Sequence, residues 1–312
     1  MGFADFYRRH RPVISFELFP PKTERGLRQL ERRLPKLIAL HPAFISVTYG
    51  ALGSTRERTL DITSRIQHEF GQVAAHHITC VGSTREEIRR NLEKISLSGI
   101  DNIVALRGDP PQGQKEFRVH EGGYPHASDL VRDIRARGEF DIAVAGYPEK
   151  HVEAPDFETD LRHLKTKVDA GADLVITQLF YDNRHYYHFV EKCRAIGITV
   201  PIVPGLLPIL SLSQVERITG MCGSTIPPRL LNALRQAETD ERRVELGIAH
   251  ITGQAVELLK NKAPGIHFYV LNRYFHIAEI MGRIRGRIRE GEEEPSRPGG
   301  KRSSLSAAKS SG

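Results

Sequence analysis

The sequence predicts a (β/α)₈ barrel, an α/β fold in which eight parallel strands close into a ring surrounded by helices. Short apolar, β-branched runs alternate with longer stretches of helical periodicity, and eight such strands are found. A doubly wound open sheet is the competing fold, and it usually has a glycine-rich turn after its first strand. Here the first strand leads into Pro20-Pro21 and no GxGxxG follows, so the closed barrel is favoured.

The predicted strands are short runs that end in polar or turn-forming residues. They are Val13–Phe19, Phe44–Gly50, Val73–Cys80, Asn102–Gly108, Asp141–Pro148, Leu174–Tyr181, Val200–Leu207 and His267–Asn272. The predicted helices span residues 24–40, 55–69, 84–98, 127–138, 157–171, 183–197, 211–261 (broken by Pro227-Pro228) and 273–288. Glycines follow four of these helices, at positions 99, 138, 171 and 197, where a left-handed residue ends a helix readily.

Composition is that of a soluble protein with one large domain, which we place at residues 1–289. Residues 290–312 are rich in Glu, Pro, Gly, Ser and Lys and predict a disordered basic tail. No apolar run is long enough for a membrane span, and three widely spaced cysteines fit a reducing cytoplasm. Of the net charge of +7, residues 283–312 carry +4, from eight Lys/Arg and four Glu. The small remainder argues against nucleic acid as a partner and fits an anionic small ligand.

Polar and charged side chains gather at the predicted carboxyl ends of the strands, where barrel enzymes carry their active sites. Strand one places Ser15 and Glu17 on one face, and the next strands end in residues such as Thr48, His77 and Arg107. A charge inside an apolar barrel is costly unless it is paired or used. One such residue could be part of a structural ion pair, for instance Glu17 with Arg107. Six strands ending in this way predict an enzyme.

The kind of chemistry is narrowed by motifs that the sequence lacks. There is no HExxH, and the histidines have no carboxylates at metal-ligand spacing, so no metal site is predicted. There is no GxSxG, and Cys80 ends an apolar strand like a packed core thiol. A carboxylate, an Arg-Gly-Asp turn, amides and hydroxyls remain. This set can bind a polar heterocycle and deliver a proton, which suggests that a bound cofactor supplies the harder chemistry.

Ten collinear segments between residues 10 and 285 resemble one known family, methylenetetrahydrofolate reductase, in its bacterial form with a catalytic domain only. They are SFELFPPKT (15–23), SVTYGA (46–51), HHITC (76–80), ALRGDPP (105–111), ASDL (127–130), GYPEKH (146–151), KVDAGAD (167–173), TQLFYD (177–182), PGLLP (204–208) and HFYVLNR (267–273). The resemblance implies a homo-oligomeric TIM barrel that uses FAD to reduce 5,10-methylenetetrahydrofolate to 5-methyltetrahydrofolate. NADH or NADPH first gives hydride to the flavin and leaves, and folate then takes its place, in one-carbon metabolism and methionine biosynthesis.

The resemblance also implies residue roles. Glu17 matches the catalytic acid, which would protonate the folate nitrogen with a pKa raised by partial burial. Asp109 matches the aspartate near both flavin and pterin, and Gln178 matches a folate-binding glutamine. Tyr269 and Arg273 align with substrate-site positions. The remaining FAD-contacting positions correspond to Thr48, His77, Arg107, Gly108, Ala127, Tyr147, His151, Asp160 and Lys167.

Several alternatives remain open at this point. Asp160 and Lys167 lie seven residues apart on one helix and could form an ordinary exposed pair. His126 replaces a tyrosine of some relatives, and Leu212 aligns with an aromatic residue that stacks on substrate, which apolar packing replaces only in part. The electron donor could then be a partner protein instead of NAD(P)H. A flavin-free folate-binding methyltransferase, or a binding subunit that docks through its basic tail, are the other candidates.

Overall fold

A computed structural model describes residues 1–8, 11–49, 53–110, 117–138 and 140–293. In these ranges nine parallel strand segments form one sheet, in the order β7-β6-β5-β4-β3-β2-β1-β9-β8. The segments are β1 (Val13–Leu18), β2 (Phe44–Val47), β3 (Ala74–Thr79), β4 (Asn102–Leu106), β5 (Asp141–Gly146), β6 (Leu174–Thr177), β7 (Ile202–Val203), β8 (Gly205–Leu206) and β9 (Gly265–Tyr269). The α/β barrel predicted from the strand count is therefore confirmed.

The helices follow the predicted order with three differences. They are α1 (Phe3–Tyr7), α2 (Glu24–Ile38), α3 (Gly53–His68), α4 (Arg85–Leu97), α5 (Ala127–Arg137), α6 (Phe157–Asp169), α7 (Asn183–Ala195), α8 (Leu212–Cys222), α9 (Pro228–Gln236), α10 (Asp240–Lys260) and α11 (Tyr274–Glu293). The short α1 was not predicted, and the segment 211–261 forms three helices. The last helix runs past the predicted tail boundary at 290, and residues 294–312 lie outside the described residues. Among the helices described, none is long and apolar enough to cross a membrane.

The seventh strand is split at Pro204, which explains why nine segments fill eight barrel positions. β7 pairs with β6, with Ile202 opposite Val175, while β8 pairs with β9, with Gly205 opposite His267. Proline has no N–H for the ladder and interrupts a strand where it occurs. Gly205 allows the chain to pass β6 closely, because a Cβ there would lie 2.2 Å from the Thr177 carbonyl oxygen. The two halves together bridge β6 and β9.

The two faces of each strand pack into different layers, as the alternation in strand one predicts. Phe16 and Leu18 point outward and are buried in the large core between strands and helices. Inside the barrel, a smaller apolar cluster fills the amino-terminal end. α1 closes this end: Phe3 packs edge-on against Phe44 with ring centroids 5.0 Å apart, and the Ala4 amide donates to Asp141 Oδ2 at 3.0 Å. The interior is thus open to ligands from the carboxyl end of the strands.

Candidate active site

A cavity of about 1040 Å³ opens at the carboxyl ends of the strands, at the upper end of the range of about 300–1,000 Å³ for ligand pockets. The predicted site residues, apart from Arg273, all line it. They are Glu17, Thr48, His77, Arg107, Gly108, Asp109, Ala127, Tyr147, His151, Asp160, Lys167, Gln178 and Tyr269. Thirteen residues from the ends of seven strands and from two helices thus meet in one cavity, as the strand-end pattern suggested.

Glu17 is buried inside the barrel between two histidines. Its Oε2 lies 3.4 Å from Nε2 of His267 and 3.3 Å from Nε2 of His77, and the contact with His77 lacks the alignment of a hydrogen bond. The hydroxyl of Ser46 donates to the same oxygen at 3.5 Å. Nδ1 of His267 lies 2.7 Å from Ser15 Oγ, which fixes the orientation of the ring. The sequence pointed to an ion pair of Glu17 with Arg107 as one alternative, but the partners of Glu17 are histidines.

The histidines determine the protonation of Glu17. Burial alone raises the pKa of this carboxyl, but the neighbouring His77 and the hydrogen bond from His267 lower it by more, to about 2. The expectation that burial leaves Glu17 with a raised pKa is therefore wrong for this structure, because it overlooked the two imidazoles. A carboxyl with a lowered pKa is ionised near neutral pH, so Glu17 can pass on a proton only after a neighbouring group or solvent has supplied one.

The strand β3 and the turn after β4 form the wall beside Glu17. Thr79 Oγ1 is a buried polar atom without a hydrogen-bond partner among the described residues, and Thr79 lines the cavity together with His77. Gly108 has φ of +89°. A Cβ at this position would lie 2.7 Å from Cγ1 of Val81, so the close approach of the turn to β3 requires glycine.

The guanidinium group of Arg107 has one partner along its edge and another against its flat face. Its guanidinium forms a bidentate ion pair with Glu153, with Nη1–Oε2 and Nη2–Oε1 distances of 2.6 and 2.7 Å. The ring of Phe117 lies against the guanidinium, 4.5 Å from Cζ to the ring centroid. Glu153 is placed by its backbone amide, which donates to Nδ1 of His151 at 3.1 Å.

Helix α6 provides a second wall of the cavity, through Asp160, His163, Thr166 and Lys167. Asp160 is buried and accepts from the His151 amide at 3.0 Å, while Lys167 Nζ donates to the Ala145 carbonyl at 2.5 Å. The two residues are therefore not an ordinary exposed pair. Burial lowers the pKa of Lys167 to about 8, although Asp160 opposes this shift.

The remaining predicted residues differ in their placement. The Oε1 of Gln178 accepts a hydrogen bond from the Leu179 amide at 2.9 Å. The NH₂ of the same side chain therefore remains as a donor for a ligand. The hydroxyl of Tyr269 donates to the Thr177 carbonyl at 2.6 Å, so its ring, not its hydroxyl, faces the cavity. Arg273 is exposed and is not among the residues lining this cavity, and its role remains a prediction. Leu212 is half-buried against the core at the start of α8, which lines the cavity through residues such as Met221 and Cys222.

Sequence reasoning missed several residues of the site. His267 follows from the pattern in hindsight, since it lies two residues before Tyr269 on the same strand face, opposite Ser15. His163 lies one helical turn after Asp160. Glu153 carries no local signal, because a loop after β5 determines its position. No cluster of three or more side chains suited to a metal ion occurs in the described ranges.

Comparison with known proteins gives the family. The model of the methylenetetrahydrofolate reductase family matches residues 3–285, nearly the whole chain. The chain belongs to the methylenetetrahydrofolate reductase family. Among relatives, 5,10-methylenetetrahydrofolate reductase of Escherichia coli (strain K12) is 39% identical over 261 residues, covering 83% of this chain and 86% of that protein.

The plant members of the methylenetetrahydrofolate reductase family are longer. "Methylenetetrahydrofolate reductase (NADH) 1" of Zea mays is 44% identical over 274 residues, which are 84% of this chain and 46% of the maize protein, so the chain spans about half the length of such relatives. Among solved structures, an uncharacterized protein from Clostridium thermocellum that binds two copies of 5-methyl-5,6,7,8-tetrahydrofolic acid superimposes with a TM-score of 0.61. It is 18% identical and the match covers 90% of this chain and 97% of that one, which is a likeness of fold.

Proposed function

We propose that this protein reduces 5,10-methylenetetrahydrofolate to 5-methyltetrahydrofolate, with FAD as its cofactor and NADH or NADPH as the electron donor. The observation that carries the proposal is the Glu17–His77–His267 cluster at the base of a cavity large enough for a dinucleotide. Membership of the family supports the same reaction, and the NADH-named plant relatives support NADH as the first donor to test.

The residues of the cavity fit FAD. The buried Oγ1 of Thr79 requires a polar partner, and the edge of a flavin ring system offers both donors and acceptors. Gly108 allows the backbone to approach a flat ring without a side chain in between. Arg107 and Lys167 supply positive charge for the diphosphate, and the first turn of α5, at Ala127, lies at the same wall with its amide groups.

Bound FAD would supply the hydride acceptance and donation that protein side chains lack. The side chains bind and protonate the folate. Opening of the folate's five-membered ring requires a proton on the leaving nitrogen, and the Glu17 carboxyl is the group of the cluster that we assign to this transfer. His267 would return a proton to Glu17, because its Nε2 lies 3.4 Å from the carboxylate. The NH₂ of Gln178 and the carboxylate of Asp109 line the cavity and can bind the pterin edge.

Three free cysteines, two of them buried, fit a reducing cytoplasm, where we place the protein.

The experiment that tests the proposed function is a titration of the protein with FAD, followed by absorbance and by quenching of flavin fluorescence. Purified protein should bind one FAD per chain and be yellow when loaded. A protein that binds 5-methyltetrahydrofolate tightly but no FAD would instead be a flavin-free folate-binding barrel.

The affinity for FAD should depend on pH through Lys167. Its pKa of about 8 means that its positive charge is present below pH 8 and is lost as the pH rises through this value. We expect FAD to bind several-fold more weakly at pH 9 than at pH 7, measured by fluorescence quenching. Lys167→Arg, which keeps its charge over this range, should flatten the dependence. An unchanged slope in Lys167→Arg would assign the effect to another group.

A further inference from the structure

The ion pair between Arg107 and Glu153 lies in the wall of the cavity, and the proposed function gives Glu153 no role. Both carboxylate oxygens face the two terminal nitrogens of Arg107, which is the bidentate geometry that a phosphate group also adopts toward arginine. Phe117 covers the guanidinium face, 4.5 Å away. Glu153 thus holds the edge of Arg107 that would meet an anionic ligand.

The net charge of the side chains that line the cavity is zero when Glu153 is counted and positive when it is left out. The side chains that line the cavity include four cations and four carboxylates when the histidines are neutral. They are Lys22, Arg107, Lys167 and Arg217, and Glu17, Asp109, Glu153 and Asp160. Glu153 is about half-exposed in its side chain, so its loss removes a charge without opening a hole in the core.

We propose that Glu153 is an internal counter-anion that competes with ligand phosphate for Arg107 and thereby sets the affinity and selectivity of this cavity for phosphate-bearing ligands. The inference rests on the proposed function, since FAD is the diphosphate ligand concerned. A diphosphate must share Arg107 with Glu153 or displace it, and it must approach a carboxylate of like charge. A flavin without phosphates meets neither cost. Glu153 therefore lowers the preference of the protein for FAD over riboflavin.

The test compares Glu153→Gln with the unchanged protein, using FAD, ADP and riboflavin as probes and fluorescence or calorimetry as the readout. Removing one unit charge near the diphosphate should tighten FAD and ADP roughly fivefold at low salt, and leave riboflavin unchanged. The gain should shrink as ionic strength rises. Glu158→Gln is the matched control, since Glu158 is exposed on α6 and does not line the cavity.

A double-mutant cycle shows whether Glu153 acts through Arg107. In an Arg107→Met background, Glu153→Gln should lose most of its effect on ADP. Unchanged or weaker binding of FAD and ADP by Glu153→Gln, with an unchanged melting temperature, would overturn the inference and make Glu153 a support for Arg107. If the unchanged protein binds none of riboflavin, FAD and ADP, the proposed function fails as well. Failure of the proposed function can therefore be distinguished from failure of the inference about Glu153 alone.

Discussion

Glu17→Gln should reduce methylenetetrahydrofolate about 10²–10⁴-fold more slowly than the unchanged protein, the usual contribution of a positioned proton donor. The substitution keeps the size of the side chain but removes the group that we assign to protonation of the folate nitrogen. Transfer of hydride from NADH to the flavin needs no such proton, so this half-reaction should stay within a few-fold of normal. Stopped-flow absorbance of each half-reaction separates the two effects.

The control for this variant is structural as well as kinetic. Glu17 is buried next to His77 and His267, and a neutral amide there changes the charge that both imidazoles meet. FAD affinity and melting temperature should therefore be measured on the same sample, and Glu158→Gln serves as a surface control. Folate reduction at the normal rate would remove Glu17 from the mechanism. Loss of both half-reactions together with FAD would mean that Glu17 supports the site instead of donating a proton.

Gly108→Ala should destabilise the protein by about 2–5 kcal/mol and weaken FAD binding strongly. Two costs combine at this position: a left-handed φ of +89°, and a Cβ placed 2.7 Å from Val81 and 3.2 Å from the Cβ of Thr79. The turn would have to move away from β3 to relieve the contact. Because this turn carries Arg107 and Asp109, its displacement changes the cavity as well as the stability.

Gly138→Ala is the matched control for this prediction. Gly138 also has a left-handed φ, of +75°, at the end of α5, but a Cβ there meets nothing within 4 Å. It should therefore cost only the conformational term, about 1–2 kcal/mol, and leave FAD binding unchanged. Thermal unfolding and an FAD titration of the two variants make the comparison. Equal losses in both would mean that the contact with Val81 has no part in shaping the cavity.

The barrel and most of its site could be predicted because both depend on local patterns. Alternation in β1 separates Glu17 from Phe16 and Leu18, and the polar strand ends meet because parallel strands end at one rim. The helix α1 could not be predicted, since five residues are too short for periodicity and its role depends on contact with the distant Phe44. The split at Pro204 had a visible cause, but its two pairings depend on tertiary closure.

Electrostatics was the less predictable part. The sequence placed Glu17 in a buried position, and burial alone raises a carboxyl pKa. In the structure the pKa of Glu17 is lowered instead, because His77 comes from β3 and His267 from β9, both far away in the chain. The partner of Arg107 likewise lies 46 residues away, in a loop without a sequence signal. The protonation and the ion pairs of the site residues depend on contacts between distant strands and loops. The spacing of residues in a single sequence does not reveal these contacts.

The most direct test of flavin-dependent folate reduction is anaerobic absorbance spectroscopy of the FAD-loaded protein in two steps. We expect the flavin absorbance to bleach when NADH or NADPH is added, and to return when methylenetetrahydrofolate is then supplied, with 5-methyltetrahydrofolate as the product. Bleaching only by a chemical reductant would point to a partner protein as the electron donor. A bleached flavin that methylenetetrahydrofolate does not reoxidise would contradict the proposed reaction.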